Sequence, residues 1–495
     1  MDFKNFINGK WCDSVSGKRF EKRNPANVDD VIGTFPESTP EDVEKAVEAA
    51  RKAYKMWRQV PAPKRAEVMK KVGDLLVQRK KELAKIATRE MGKILLETEA
   101  DVQEGIDTAY YAFGEGRRLF SFTTPSELTD KVCITFRRPV GVCGIITPWN
   151  FPMAIPCWKI LPAIVCGNAV VFKPSREAPH TATKLVEILL EAGVPEGVIN
   201  LVHGPGGVIG EAIASHPGID LISFTGSVEV GKRISELSSK TLKKVSLELG
   251  GKNAQIVMDD ADLELALDGV IWGAFGTTGQ RCTATSRLIL HEKIHDRFVE
   301  MLVERAKKIK IGDGLKPETE MGPLVSEKQL KKVEYYVELG KKEGAKLVCG
   351  GKRYTENGCD KGYFYEPTIF IDVKPDMRIA QEEIFGPVLS VIKVKSFEEA
   401  IEAMNSTNYG LSSSIYTRDV VKAMKAIELI EAGITYVNAP TIGAECHLPF
   451  GGIKNTGNGH REGGWTVYEI FTEIQTVYID YSGRLQRAQI ETWKE

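Results

Sequence analysis

Cys282 lies in the run Gly279-Gln280-Arg281-Cys282-Thr283, directly after an apolar stretch of helical spacing. Cysteine is among the most buried residue types, so taken alone it reads as an inert thiol. Here Gly276 and Gly279 free the local backbone, and Arg281 adds a positive charge that would favour the thiolate, the nucleophilic form. Glu248, in Leu247-Glu248-Leu249-Gly250-Gly251-Lys252, interrupts the end of an apolar strand. Burial disfavours an ionised carboxyl, so its pKa should be raised, which suits a general base. A strand-end glutamate reaching solvent is the plainer alternative. Asn150 sits in Thr147-Pro148-Trp149-Asn150-Phe151-Pro152, where two prolines stiffen the segment. An amide held rigidly after a strand can donate to an oxyanion, although a turn asparagine would look the same.

Two glycine patterns could cradle phosphates. His203-Gly204-Pro205-Gly206-Gly207-Val208-Ile209-Gly210 follows a strand-like run and precedes a helical one. Phe224-Thr225-Gly226-Ser227-Val228-Glu229-Val230-Gly231 does the same, and its helix start would offer free N–H groups to an anion. Strand-to-helix turns also carry glycine for geometry alone.

These residues need a scaffold. From Val140 onward short apolar runs alternate with helical segments. Strands are predicted at 141–147, 169–173, 198–202, 221–224 and 245–249, with helices at 181–192, 207–214 and 228–237 between them. A second α/β stretch starts near Lys252, with a strand at 255–258, a helix at 263–275 and a strand at 287–291, and alternation continues to about Asn438. Such alternation implies a parallel sheet covered on both faces, with ligands beyond the carboxyl ends of the strands. Nearer the N-terminus, Thr39-Pro40-Glu41-Asp42 opens a helix, and further helical stretches run through about 64–80 and 101–113. The β-type runs 132–137 and 476–480 stand outside the alternation and could pair with each other or with another subunit.

Composition excludes several classes. The 495 residues carry a net charge of -1, so nothing marks the chain for nucleic acid or an anionic membrane. No secretory leader or transmembrane run is visible; the apolar region from Ile155 to Phe172 is broken by Lys159, Gly167 and Asn168. Nine scattered cysteines without a C-x-x-C pair fit a reducing cytoplasm rather than a disulfide framework or structural zinc. The seven histidines show no metal-ligand spacing.

The motifs PWNFP, FTGS, LELGG, GQRCT, EEIFGP and PFGG, in this order and at these spacings, resemble the aldehyde dehydrogenase superfamily over essentially the whole chain. Within it, the hydrolytic type and the aminoadipic and α-ketoglutaric semialdehyde dehydrogenases are the nearest in flavour. The resemblance implies an α/β fold: a Rossmann-like cofactor domain over 1–116 and 140–250, a catalytic α/β domain over 251–464, and a β oligomerisation arm over 117–139 and 465–495. It implies a homodimer or homotetramer. It assigns Cys282 as nucleophile, forming a thiohemiacetal and then a thioester, Asn150 as oxyanion donor beside the Cys282 N–H, and Glu248 as the base that activates the hydrolytic water. It assigns Lys173 to the adenosine ribose, Gly226 and Ser227 to the pyrophosphate turn and Trp149 to a wall of an NAD or NADP site, with Ile146, Thr147, Ser175, Arg176, Gly206 and Leu249 also cofactor-binding. Glu383 and Phe385 match the pair at the nicotinamide ribose and ring. Phe151, Trp158, Thr283 and Phe450 would line the aldehyde tunnel, and Glu462 resembles a second glutamate of the water and proton path.

Two departures stand out. Members that prefer NAD commonly carry a glutamate three residues after the lysine matched by Lys173; here the residue is Arg176. A guanidinium can bind a 2′-phosphate where a carboxylate repels it, so NADP is expected to be accepted and favoured. Near the C-terminus, Gly457-Asn458-Gly459-His460-Arg461-Glu462 carries one residue more than the common S-G-x-G-R-E run, which unsettles the alignment of Glu462. For the substrate, Asp101-Val102-Gln103-Glu104 resembles a helix of the aminoadipic branch, where residues matching Glu104 and Arg281 meet the charged end. A semialdehyde bearing a carboxylate is therefore expected, with an internal ion pair on Arg281 as the alternative. The rival functions are a CoA-acylating semialdehyde dehydrogenase, which would not need Glu248, and a non-catalytic crystallin-like protein, which would not need Cys282, Glu248 and Asn150. A phosphorylating glyceraldehyde-phosphate dehydrogenase would want a Cys–His pair, and no histidine adjoins Cys282 in sequence.

Overall fold

Two seven-stranded sheets organise the chain, each covered by helices on both faces. The structure is a computed structural model and describes residues 1–490; the last five residues of the expected arm, 491–495, lie outside the described residues. The first sheet runs in the order Lys244–Glu248, Leu221–Thr225, Val142–Ile146, Ala169–Lys173, Ile199–Leu201, Asn5–Ile7 and Lys10–Cys12. Its first five strands in this order are parallel, and the N-terminal pair adds an antiparallel edge. Val142–Ile146 and Ala169–Lys173 are buried at every position, as continuous apolar strands of a doubly covered parallel sheet must be. The chain reverses its winding between Val142–Ile146 and Leu221–Thr225, and the crevice at such a point is where α/β sheets bind ligands.

The second sheet has the order Lys346–Cys349, Thr368–Ile371, Val388–Val394, Arg287–His291, Ala254–Val257, Ser412–Tyr416 and Ile434–Val437. It is parallel except at the Lys346–Cys349 edge. A third, three-stranded sheet stands apart: Lys131–Pro139 pairs antiparallel with Thr472–Asp480 over nine residue pairs and with Thr123–Pro125 on its other side. The two outlying β-type runs thus pair with each other.

The sequence understated two helices and missed the N-terminal strands. The helix expected over 64–80 spans Ala62–Met91. The charged stretch after Lys80 remains helical because Leu83, Ala84, Ala87 and Met91 continue the buried face, and Gly92, at φ 92°, ends it in the left-handed conformation. The helix expected over 101–113 begins earlier, at Leu95. The segment expected as a helix over 207–214 is a π turn, Gly206–Gly210, followed by the short helix Glu211–Ser215. No helix among the described residues is long and apolar enough to cross a membrane.

Candidate active site

A cavity of about 570 Å³ opens between the two large sheets, and its wall includes Cys282, Thr283, Arg281, Glu248, Leu249, Phe151, Trp158, Phe450, Glu104 and Glu462. The expected nucleophile, base and tunnel residues therefore share one space. Asn150 is buried in the bend immediately before the wall residue Phe151.

Cys282 sits on the loop leading into Arg287–His291, and that loop is tied closely to the end of the first sheet. Asn253 Nδ2 donates to the Cys282 carbonyl at 2.7 Å and to the Ala284 carbonyl at 3.0 Å. Gly251 must be glycine here, because a Cβ would lie 2.6 Å from the same Cys282 oxygen. The thiol is pushed up to about 12, first by burial and then by the carboxylates of Glu383 and Glu248; the backbone N–H groups of Thr283 and Cys282 pull it down in part. This corrects the expectation that Arg281 favours the thiolate. The Arg281 guanidinium turns away to Glu97 at 3.1 Å and to the rings of Trp272 and Phe151, and is not among the largest influences on the sulfur.

The Cys282 loop is strained four residues upstream. Thr277 and Thr278 both adopt left-handed φ, 53° and 59°. A β-branched residue there costs about 1–3 kcal/mol and persists only where its surroundings over-determine it. They do so here. Glu97 accepts from the Thr277 N–H at 2.6 Å, Thr278 Oγ1 donates to the Gly322 carbonyl at 2.9 Å, and Gln280 Nε2 donates to the Thr277 carbonyl at 3.1 Å.

Glu248 ends the strand Lys244–Glu248, and both its carboxyl oxygens are buried without a hydrogen-bond partner. Its pKa is raised well above the usual range, by burial first and by neighbouring Glu462 second, while Lys159 and Arg461 oppose the rise. Glu462 pairs with the Lys159 ammonium, which also donates to Ser223 Oγ at 2.9 Å. Gly459, just before His460, adopts φ 95° with open space about it, and the Phe450–Glu462 bridge sets Glu462 in the cavity wall. Sequence reasoning missed Lys159 and Ser223; a single lysine in an otherwise apolar run was the available signal. It also missed Glu97, and Lys93, whose unpaired buried ammonium stands 3.4 Å over the Phe151 ring.

The residues expected to hold a dinucleotide gather at the carboxyl ends of the first sheet. Ile146 and Thr147 end one strand, Lys173 the next, Thr225 and Gly226 a third, and Glu248 and Leu249 a fourth. Ser227 caps the helix Val228–Ser239 by accepting from the Val230 N–H, so that helix opens toward the crevice. Gly206 starts the neighbouring π turn with nothing within 4 Å of a Cβ built on it. Thr147 Oγ1 is buried and unpaired, as a group waiting for a polar ligand would be. Glu383, from the loop before Val388–Val394, accepts from the Gly251 N–H at 3.1 Å, and Phe385, at φ 62°, meets Trp149 edge-on at 5.5 Å. These features fit a nicotinamide dinucleotide lying across the crevice. Lys173 donates to the Pro174 carbonyl, and its pKa falls to about 8 through burial and the Arg176 charge. Ser175 accepts from the Glu177 N–H. Arg176 stacks 4.2 Å over Phe20 and meets Glu37 at 3.5 Å, so its charge is partly engaged within the chain. No group of histidines, cysteines and acids able to hold a metal occurs among the described residues.

The model described as "Aldehyde dehydrogenase family" matches residues 11–477. The α-ketoglutaric semialdehyde dehydrogenase of Bacillus subtilis is 46% identical, over 96% of this chain and 98% of its own. The α-ketoglutarate semialdehyde dehydrogenase of Haloferax volcanii is 43% identical, over 97% and 99%. Among solved structures, a point mutant of betaine aldehyde dehydrogenase from Staphylococcus aureus, in complex with NAD+ and with a mercaptoethanol-modified cysteine, superimposes with a TM-score of 0.95 at 36% identity, covering 97% of each chain.

Proposed function

The chain belongs to the aldehyde dehydrogenase family and oxidises an aldehyde to its carboxylic acid with a nicotinamide dinucleotide, and we propose that its aldehyde is a semialdehyde bearing a carboxylate. The observation that carries this reading is the Arg281 guanidinium in the wall of the cavity that also holds Cys282. The wall is acidic by composition, with Glu97, Asp101 and Glu104 near Arg281. Glu97 is committed to Arg281, however, and Glu104 is pushed up to about 8, by burial first and Asp101 next. At neutral pH Glu104 is then mostly a neutral donor, so beside Asp101 an incoming carboxylate meets the Arg281–Glu97 pair and a hydroxyl. Relatives named for α-ketoglutaric semialdehyde support the same class; α-aminoadipic semialdehyde is another member.

In the proposed mechanism the Cys282 sulfur attacks the aldehyde carbon as its proton departs. Glu248 faces the same cavity and, with its raised pKa, can take that proton. The resulting oxyanion falls to Asn150 and the Cys282 N–H. The nicotinamide, when bound, supplies the acceptor for the aldehyde hydride, and Glu383 and Phe385 would hold its ribose and ring. Cys282 is left as a thioester. Glu248 first sheds the proton taken from Cys282, to which the Lys159–Glu462 pair with Ser223 gives a buried polar route. Ionised again, it draws a proton from water, whose oxygen attacks the acyl carbon; the carbon–sulfur bond breaks and the proton on Glu248 goes to the sulfur, freeing the acid and the thiol.

We also propose that NADP is accepted alongside NAD, because Lys173 and Arg176 place two cations near the adenosine end. The cofactor, catalytic and arm segments follow the division at 1–116 with 140–250, 251–464, and 117–139 with 465–495. Assembly as a homodimer or homotetramer is proposed from two exposed apolar surfaces: Val132, Phe136 and Ile479 on one face of the arm, and Val420, Val421, Met424 and Ile427 on the helix Val420–Leu429. A cytoplasmic setting is proposed from nine free cysteines.

The test of the substrate is kcat/KM for succinic semialdehyde against butanal, with NAD or NADP and with and without CoA. A preference of about tenfold or more for the acid, lost in Arg281→Leu, is expected. Equal values for the two aldehydes would sink the carboxylate reading, and acyl-CoA formation would sink hydrolysis.

A further inference from the structure

Glu97 stands in the first turn of the helix Leu95–Glu115, and its side chain is 2% exposed. One of its oxygens, Oε1, does two things. It accepts from the Thr277 N–H at 2.6 Å and from Arg281 Nη2 at 3.1 Å. Arg281 closes the figure by donating from Nε to Thr277 Oγ1 at 2.8 Å. Thr277 is the first of the two left-handed threonines upstream of Cys282. The remaining supports of this turn come from its own residues or from Gly322 to Val325, whereas Glu97 reaches it from 180 residues away. The fit is close, since a Cβ on Gly276 would meet Glu97 Oε1 at 3.3 Å.

We propose that Glu97 is a positioning residue for the nucleophile: its Oε1 holds the strained Thr277–Thr278 turn that aims Cys282, and through the same atom ties Arg281 to that turn. Arg281 lies between the rings of Phe151, at 5.5 Å, and Trp272, at 5.0 Å, in the cavity wall. An anion drawing on Arg281 therefore pulls on the oxygen that anchors Thr277. This second half rests on the carboxylate-bearing substrate proposed above; the first half does not. Losing the carboxylate leaves the Thr277 N–H without its buried acceptor and two β-branched residues in a conformation they disfavour, so the turn relaxes and the sulfur is misplaced. Misplacement by an ångström lowers the chemical step far more than it lowers binding.

The test compares Glu97→Ala with Glu97→Gln, using butanal for the loop and succinic semialdehyde for Arg281. With butanal, Glu97→Ala should lower kcat and the pre-steady-state burst of reduced cofactor about tenfold or more, with KM moving less than about twofold. Glu97→Gln keeps an acceptor oxygen and should recover kcat to within about threefold of the parent. Glycine is at ease at positive φ, so in a Thr277→Gly background the Glu97→Ala loss should shrink to about threefold or less. That double variant also serves if Glu97→Ala alone folds poorly. Glu97→Ala within twofold of the parent, Glu97→Gln as damaged as Glu97→Ala, or a loss undiminished by Thr277→Gly each overturns the positioning role. With succinic semialdehyde, Glu97→Gln frees Arg281 and should lower KM about threefold or more, leaving the butanal KM in place. An unmoved KM, in an enzyme whose parent prefers succinic semialdehyde, overturns the link through Arg281 alone. A parent with no such preference overturns the substrate reading, and the butanal results still decide the positioning role.

Discussion

The Lys159 ammonium and the Glu462 carboxylate form a buried ion pair, 1% and 4% exposed, beside the unpaired carboxyl of Glu248. The pair joins a helix of the first half to a loop 303 residues later. Its charge balance sets the field in which Glu248 works.

Replacing Lys159 by Met removes the cation that opposes the rise in the Glu248 pKa and leaves Glu462 buried without a partner. The Glu248 pKa moves higher still, so the acid limb of the kcat–pH profile shifts to higher pH. Breaking a buried pair from one side also costs about 3–5 kcal/mol of stability. Urea unfolding and a kcat–pH profile check both; an unshifted acid limb counts against Glu248 as the titrating base.

A thiol raised to about 12 is mostly protonated at neutral pH. Alkylation of Cys282 by iodoacetamide should then accelerate about tenfold per pH unit from pH 6 to 9, without a plateau. A plateau beginning below pH 8 would show that the resting sulfur is already ionised. In Cys282→Ser both the alkylation and the turnover should vanish.

Glu104 titrates at about 8 in the folded chain and near 4.3 when unfolded. Its neutral form suits the folded site, so its contribution is fully present below about pH 4.3 and is lost as pH rises through 8. Glu104→Gln should leave Tm nearly unchanged at pH 5 relative to the parent and raise it progressively toward pH 8. A difference in Tm that is flat with pH would place the ionised form in the folded state.

Arg176→Ala should reduce kcat/KM for NADP by about tenfold or more, the worth of a charge-assisted contact, and leave NAD within about threefold. Glu37→Gln releases Arg176 from its internal partner and should act in the opposite sense on NADP. Equal effects on the two cofactors would remove Arg176 from the 2′-phosphate.

Much of the architecture was legible because its signals are local. The continuous apolar runs at Val142–Ile146 and Ala169–Lys173, and the glycine turns that follow the strands, report a parallel sheet from a dozen neighbouring residues. The strand-end setting of Glu248 likewise carries its desolvation in the sequence. The engagement of Arg281 was not legible: the residue that captures it, Glu97, lies 184 positions earlier and looks like an ordinary helix-start acid. Lys159 and Ser223 escaped for the same reason, since a buried pair is defined by its distant partner. The strands Asn5–Ile7 and Lys10–Cys12 are three residues each, too short for periodicity, and owe their pairing to the sheet edge they complete.

The antiparallel ladder from Thr472↔Pro139 to Asp480↔Lys131 acts as a clasp on a loop of chain. Cys282, Glu248, Asn150, Lys159 and Glu462 all lie inside that loop. Its N-terminal leg runs straight into the strand ending at Ile146, and its C-terminal leg departs ten residues after Glu462. A nick in a surface turn between them would leave both fragments fastened at the clasp. A chain stopped before Thr472 would have the same catalytic inventory but leave Glu462 nine residues from a loose end.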